Sequence, residues 1–146
     1  MVHYLVYISV AANALPEDEL KAIMHKSVTN NQRDQLSGML LYCGGKFMQV
    51  LEGQKENVMQ TFERIMMDHR HKRIAVILEG QVEQRNFAGW NMGFKSMNTD
   101  ELETLSGYRD IQDFFSETTI TDSSHPALVF LKLFYQKNNS DLISRM

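Results

Sequence analysis

Lys46-Phe47-Met48-Gln49-Val50-Leu51-Glu52-Gly53 is the stretch of sequence that decides the fold. It reads as a β-strand, in which successive side chains point to opposite faces of a sheet. Gln49 therefore shares one face with Phe47 and Leu51. A side-chain amide offers two donors and two acceptor lone pairs. Leaving a buried amide without hydrogen-bond partners costs about 1–3 kcal/mol. We expect a polar partner to meet Gln49.

The composition sets the class of protein. The 146 residues fit a single domain, and the net charge of -3 with scattered lysines and arginines argues against nucleic acid or an anionic membrane as a partner. Cys43 is the only cysteine, which excludes an intramolecular disulfide and a multi-thiolate zinc site, and no metal site is expected. No signal peptide or long apolar run is present, so we expect a soluble, cytoplasmic protein.

The order of elements predicts an α+β fold of the ferredoxin-like type. Apolar periodicity and turn residues indicate strands and helices in the order βαββαβ, with Gly44-Gly45 forming a hairpin turn. This order places two helices on one face of a mixed antiparallel sheet. The elements are strand Tyr4–Ser9, a helix from Pro16 to Val28 or Thr29, strands Leu36–Cys43 and Lys46–Gly53, a helix from Lys55 to about His69, and strand Ile74–Leu78.

The remainder of the chain predicts a short fifth strand near Phe94 and two helices that cover the other face of the sheet. The first helix runs from about Thr99 to Phe115, and the second runs from Pro126 to about Gln136. We therefore expect a core domain over residues 1–95 and a helical extension over residues 96–146 that packs on the sheet, mediates oligomer or partner contacts, or does both.

Several polar residues converge if the first strand and the Gln49 strand are neighbours. Tyr7 and Gln49 then project onto the face between the two helices, where Asn30, Asn31, Arg64 and Asp68 rim a cleft. Amides beside one another can donate and accept together, so such a cleft suits a flat heteroaromatic ligand with imide-like edges.

Simpler readings stand beside this one. Tyr7 and Gln49 can be ordinary core residues, Arg64 and Asp68 a solvated surface pair, and Asn30-Asn31 a helix stop. No phosphate loop, nucleophile elbow or pair of catalytic carboxylates is found. Three classes stay open at this point: a protein that binds a flat heteroaromatic ligand in the cleft, a small hydrolase holding an anionic substrate, and an adaptor with an empty cleft.

Six ordered blocks of sequence resemble the BLUF family, sensors of blue light that use flavin. The resemblance runs from Tyr4 to about Phe94. The blocks are Leu5-Val6-Tyr7-Ile8-Ser9, Ser27-Val28-Thr29-Asn30-Asn31, Leu36-Ser37-Gly38-Met39-Leu40-Leu41-Tyr42, Phe47-Met48-Gln49-Val50-Leu51-Glu52-Gly53, Ile65-Met66-Met67-Asp68-His69-Arg70-His71 and Arg85-Asn86-Phe87-Ala88-Gly89-Trp90-Asn91-Met92.

The resemblance implies a non-covalently bound flavin, either FAD, FMN or riboflavin, between the two helices. Asn31 would clamp the N3–H and C4 carbonyl edge, and Arg64, steadied by Asp68, would reach the C2 carbonyl side. Asn30 would lie against the ring or its ribityl chain. The flavin-binding set implied by the family is Ser27, Asn30, Asn31, Gln49, Arg64, Asp68, Arg70 and His71.

The resemblance also implies a mechanism without an enzymatic reaction. Tyr7 would give an electron and a proton to the photoexcited flavin, and light would rearrange the hydrogen bonds of the Gln49 amide by rotation, tautomerisation or both. Trp90 and Met92 are both present, and either could lie next to Gln49. The implied output is a change in protein contacts, through a homo-oligomer or a separate response protein.

Overall fold

A sheet of five strands forms the centre of the computed structural model, which describes residues 1–13, 16–43, 45–89, 93–96 and 125–134. The strand order is β4-β1-β3-β2-β5; the first four strands are antiparallel to their neighbours, and β5 runs parallel to β2. The predicted α+β fold with βαββαβ order is confirmed. The elements are β1 (Val2–Ala11), α1 (Glu17–Arg33), β2 (Ser37–Cys43), β3 (Lys46–Gly53), α2 (Lys55–Met66), β4 (His71–Val82) and β5 (Gly93–Ser96).

The β2–β3 hairpin fixes the position of Gln49 in the sheet. Cys43 pairs with Lys46 across the turn, and Gly45 has a φ of +79°, a left-handed conformation that favours glycine. β3 also pairs with β1, in a register that sets Tyr7 opposite Gln49. The two strands are therefore neighbours at the sheet centre, as the sequence analysis required.

Each face of the sheet carries its own hydrophobic core. On the helix face, strand residues such as Leu5, Leu40 and Leu51 pack with Val58 and Phe62 of α2. On the opposite face, Met48 and Val50 belong to a second core. The alternation read from residues 46–53 is confirmed, with Phe47, Gln49 and Leu51 facing the helices.

The predicted end of α1 near Val28 or Thr29 is wrong. The helix continues through Asn30 and Asn31 to Arg33. The Asn30 carbonyl accepts from the Asp34 N–H at 2.9 Å, and the Asn31 carbonyl accepts from the Leu36 N–H at 2.8 Å, just beyond the helix end. Gln35, with a φ of +56°, turns the chain instead. An asparagine in a helix interior costs only roughly a few tenths of a kcal/mol relative to better helix formers, so tertiary packing determines where α1 ends.

The boundary between α2 and β4 also differs from the prediction. α2 ends at Met66 rather than at about His69, and β4 begins at His71 rather than at Ile74. The Asp68 carboxylate accepts from the Arg70 N–H at 2.9 Å and so stops the helix. β4 is an edge strand, where polar residues are tolerated because one side faces solvent, and this polar character concealed its start.

A C-terminal helix packs on the second face of the sheet. Residues 126–134 form helix α3, whose Ala127, Leu128 and Leu131 are buried against the second core. This agrees with the predicted second helix from Pro126. The predicted helix from Thr99 to Phe115 lies outside the described residues, as do Trp90 and Met92.

A buried carboxylate anchors the chain after β4. Glu52 is fully buried and accepts from the Ser37 hydroxyl at 2.9 Å and from the Asn86 and Phe87 N–H groups at 2.9 and 2.6 Å. Burial raises the pKa of the Glu52 carboxyl, although those donors oppose the rise. Arg85 binds the Ser37 hydroxyl at 2.9 Å. The network holds the 85–89 turn against the end of β3.

Candidate functional site

A cavity of about 620 Å³ lies between α1 and α2 above the helix face of the sheet. Its volume falls in the range of roughly 300–1,000 Å³ that is usual for small-molecule and cofactor sites. Strands β1 and β3 supply its floor, the two helices supply its walls, and the α2–β4 connection supplies one rim. The lining residues named by the sequence analysis are Tyr7, Ser27, Asn30, Asn31, Gln49, Arg64, Asp68, Arg70 and His71.

Tyr7 and Gln49 form a hydrogen-bonded pair on the cavity floor. The Tyr7 hydroxyl donates to the Gln49 Oε1 atom, and both side chains are buried. Burial, and secondarily the charge of Asp68, raises the pKa of the Tyr7 phenol far above its ordinary value near 10. The phenol therefore keeps its proton at neutral pH. The polar partner expected for Gln49 is Tyr7.

The last turns of α1 carry amide groups to the cavity wall. Asn31 is buried, with 1% of its surface exposed, while Asn30 and Ser27 are partly buried and also line the cavity. Because α1 continues past residue 29, these side chains stand on a regular helix. A helix holds them in more fixed positions than a loop would.

Arg64 on α2 also lines the cavity, but its partner differs from the predicted one. Its Nη2 atom donates to Asp34 Oδ2 at 3.0 Å and to Thr61 Oγ1 at 3.2 Å. The predicted pairing of Arg64 with Asp68 is wrong, since Asp68 follows the end of α2 and is engaged by Arg70. The carboxylate that holds Arg64 comes from the end of α1.

Asp68 and Arg70 form a compact ion pair at the rim. Arg70 Nη2 donates to Asp68 Oδ2 at 2.5 Å, and Arg70 Nε donates to both carboxylate oxygens at 2.9 and 3.0 Å. The hydrogen bond from Arg70 holds the pKa of the Asp68 carboxyl below its usual value, against the opposing effect of burial. The pair fixes the connection between α2 and β4.

His71 joins three elements at the inner end of the cavity. Its Nε2 lies 2.6 Å from the Ile65 carbonyl oxygen, and its Nδ1 lies 2.9 Å from the Ser9 hydroxyl. In the neutral ring Nε2–H donates to the carbonyl and Nδ1 accepts from the hydroxyl. The ring centroid lies 6.3 Å from that of Tyr7. Within the described ranges, no group of three His, Cys, Asp or Glu side chains could hold a metal ion.

The structure brings all the described candidate residues to one cavity, and it adds others that the sequence analysis missed. The polar additions are Lys26, Thr61 and His69, and the apolar additions are Ile23, Leu40, Phe47, Ile65 and Met67. Thr61 lies one turn before Arg64 on α2, so helical spacing could have identified it. The apolar residues carried no separate signal because core positions on the same faces show the same pattern.

The lining is chemically suited to a flat, polar-edged ring. Apolar side chains such as Leu40 and Phe47 can contact ring faces, while Asn31, Gln49 and Arg64 can bind ring carbonyl and N–H groups. Tyr7 offers an oxidisable phenol in contact with Gln49. The residues present therefore fit an isoalloxazine ring.

Across the described part of the chain, no helix is both long and apolar enough to cross a bilayer.

Comparison with known proteins finds a family of flavin-dependent light sensors. The family model "BLUF: Sensors of blue-light using FAD" matches residues 2–93. The photoactivated adenylate cyclase subunit alpha of Euglena gracilis is 26% identical over 135 residues, which cover 92% of this chain and 13% of that protein. The chain thus spans only a small part of this curated relative.

Two solved structures are similar to this chain, and the second is itself named as a BLUF protein. A bacterial light-regulated adenylyl cyclase matches with a TM-score of 0.66 and 37% identity, covering 68% of this chain and 30% of that one. The dark-state structure of BlrB, a BLUF protein, matches with a TM-score of 0.64 and 31% identity, covering 72% of this chain and 78% of that one. Both resemble this chain in sequence as well as in fold.

Proposed function

Because the chain belongs to the BLUF family, we propose that it is a blue-light photoreceptor that holds a flavin non-covalently in the cavity between α1 and α2. The observation that carries the proposal is the Tyr7–Gln49 hydrogen bond on the cavity floor. A buried phenol bonded to a buried amide supplies a redox-active group and an invertible group in direct contact. Light sensing by these two groups does not require this chain to be an enzyme.

The cavity walls would hold the flavin ring by its polar edges. We assign the N3–H and C4 carbonyl edge to Asn31 and the C2 carbonyl side to Arg64, with Asn30 and Ser27 along the ring or the ribityl chain. Lys26 and Arg70 place positive charge in the same cavity, which would favour a flavin bearing phosphate. FAD, the flavin in the family description, is the proposed cofactor, ahead of FMN and riboflavin.

A bound flavin supplies absorption of blue light and, once excited, an electron acceptor. Tyr7 is the proposed donor, and the Gln49 Oε1 atom that accepts its hydroxyl hydrogen provides the route for the proton. An amide can exchange donor for acceptor when it inverts, so Gln49 can make two different networks with the same atoms. We propose that this exchange is the signalling change.

The signal would leave the cavity through β3. Gln49 and Glu52 lie on this strand, and Glu52 holds the 85–89 turn that precedes Trp90 and Met92 in the chain. We propose that residues 1–95 form the sensor and residues 96–146 an output extension. The output of this extension would be a changed contact with a second copy of the chain or with a response protein. A light-dependent change in gel-filtration elution volume would reveal the contact with a second copy.

The proposal is tested by reconstituting the purified chain with FAD and replacing Tyr7 by phenylalanine. Tyr7→Phe should retain flavin and lose the light-induced red shift of the absorption band, because the phenol hydrogen is gone. Tyr4→Phe, on the same strand but in the core of the opposite face, should keep the shift. A colourless wild type after reconstitution, or a full shift in Tyr7→Phe, would contradict the proposal.

A further inference from the structure

The Arg64 guanidinium binds Asp34, a residue that does not line the cavity. We propose that Asp34 is a positioning residue for flavin binding, which acts by holding Arg64 toward the cavity. This inference rests on the proposed function, because it concerns the grip on the same ligand. Asp34 does not line the cavity, so its effect on binding would have to pass through Arg64.

The contacts of Arg64 show how the orientation is set. Asp34 Oδ2 and Thr61 Oγ1 both accept from Nη2, at 3.0 and 3.2 Å. An arginine carries five N–H donors in a rigid planar fork, and fixing one nitrogen at two points fixes the plane of the whole group. Nη1 and Nε are then available as donors to carbonyl oxygens of a ligand.

Asp34 is itself held from both helices that flank the cavity. It is the C-cap residue of α1, and its N–H donates to the Asn30 carbonyl at 2.9 Å. Its own carbonyl accepts from the Asn57 side chain of α2 at 2.9 Å. These contacts place the carboxylate at a defined point between α1 and α2, and that point is where Arg64 meets it.

A second arginine provides an internal control. Arg33 also binds the Asp34 carboxylate, with Nε 3.0 Å from Oδ1 and Nη2 3.1 Å from Oδ2. Arg33 is the more exposed arginine, at 58% against 46% for Arg64, and it does not line the cavity. Hydrogen bonds from Arg33 hold the pKa of the Asp34 carboxyl below its usual value, so Asp34 is charged at neutral pH. Replacing Arg33 removes neither Asp34 nor Arg64, so both partners of the Asp34–Arg64 contact stay present.

The test measures FAD affinity of the full chain by quenching of flavin fluorescence, in wild type, Asp34→Asn, Arg64→Ala, the double variant and Arg33→Gln. Loss of an oriented, charge-assisted hydrogen bond at a partly exposed site should raise the Kd of Asp34→Asn about tenfold. Arg33→Gln should change the Kd by less than about twofold, as expected of a surface pair. The Kd of the double variant should match that of Arg64→Ala within about twofold, because Asp34 affects binding only through Arg64, which is already absent.

Two further measurements separate positioning from a general structural effect. The flavin carbonyl stretching bands in the infrared should shift in the same direction in Asp34→Asn and Arg64→Ala and stay in place in Arg33→Gln. Asp34→Glu, which restores the carboxylate, should recover most of the affinity, and this variant also decides the matter if Asp34→Asn does not fold.

Each contrary result has a distinct meaning. Wild-type affinity in Asp34→Asn, effects that multiply in the double variant, or equal losses in Arg33→Gln and Asp34→Asn would overturn the role of Asp34 while leaving flavin binding intact. Failure of Asp34→Glu to recover affinity or the carbonyl bands would overturn it as well. Failure of the wild-type chain to bind FAD at all would overturn the proposed function, and this inference with it.

Discussion

Replacing Glu52 by glutamine should weaken the fold through one buried network. The carboxylate receives the Ser37 hydroxyl and the Phe87 N–H on Oε1 and the Asn86 N–H on Oε2. A glutamine oxygen can take over the Oε1 contacts. Its NH₂ group would then face the Asn86 N–H, so that two donors meet.

The expected loss follows from these contacts. One hydrogen bond to a charged group is lost, at about 1.5–3 kcal/mol, and a donor is left facing another donor. Removal of a buried charge offsets part of this cost, since burial raises the pKa of the Glu52 carboxyl and thus disfavours its ionised form. We expect the free energy of unfolding to fall by about 2 kcal/mol.

Urea denaturation followed by circular dichroism measures this change. Glu63→Gln is the matched control, because Glu63 is exposed on α2, and a surface substitution of this kind changes stability by less than about 0.5 kcal/mol. If the two variants unfold at the same urea concentration with equal slopes, Glu52 does not anchor the 85–89 turn in the manner described.

Three further predictions address the switch, the pH response and the second core. Gln49→Leu should keep flavin but lose the normal light-induced red shift in a light-minus-dark spectrum, because no amide remains to invert. The Nδ1 atom of His125 accepts from the Ala127 N–H, and burial lowers the pKa of the His125 ring. The neutral ring therefore stabilises the fold fully above about pH 6.5, and this contribution falls as the pH drops through the folded-state pKa. His125→Asn should flatten the pH dependence of the free energy of unfolding in that range. Leu131→Ala, at a fully buried position, should cost about 2–5 kcal/mol in urea unfolding, whereas Leu133→Ala, at 56% exposure, should cost little.

The elements predicted well from sequence are those set by local chemistry. The alternation of residues 46–53 and the glycine turn before them determine a hairpin, and a one-residue slip in its register would move Gln49 to the other face. The order of elements then places Tyr7 beside Gln49, in the observed register. The hairpin and the order of elements can both be inferred from local patterns in the sequence.

The errors arose where a distant contact overrides a local pattern. Asn30 and Asn31 resemble a helix stop, but Asn31 is buried in the cavity wall and α1 continues. Asp68 lies four residues from Arg64, and helical spacing therefore predicts it as the partner. The actual partner, Asp34, lies 30 residues away in the sequence, and only the packing of α1 against α2 brings it close.

The absorption spectrum of the purified full chain reconstituted with FAD, recorded in the dark and again after blue illumination, tests the central claim most directly. The Tyr7–Gln49 switch predicts a bound flavin whose main band shifts to longer wavelength in the light and returns in the dark, with the flavin chemically unchanged. A chain that binds no flavin, or a bound flavin whose band is the same before and after illumination, would contradict it.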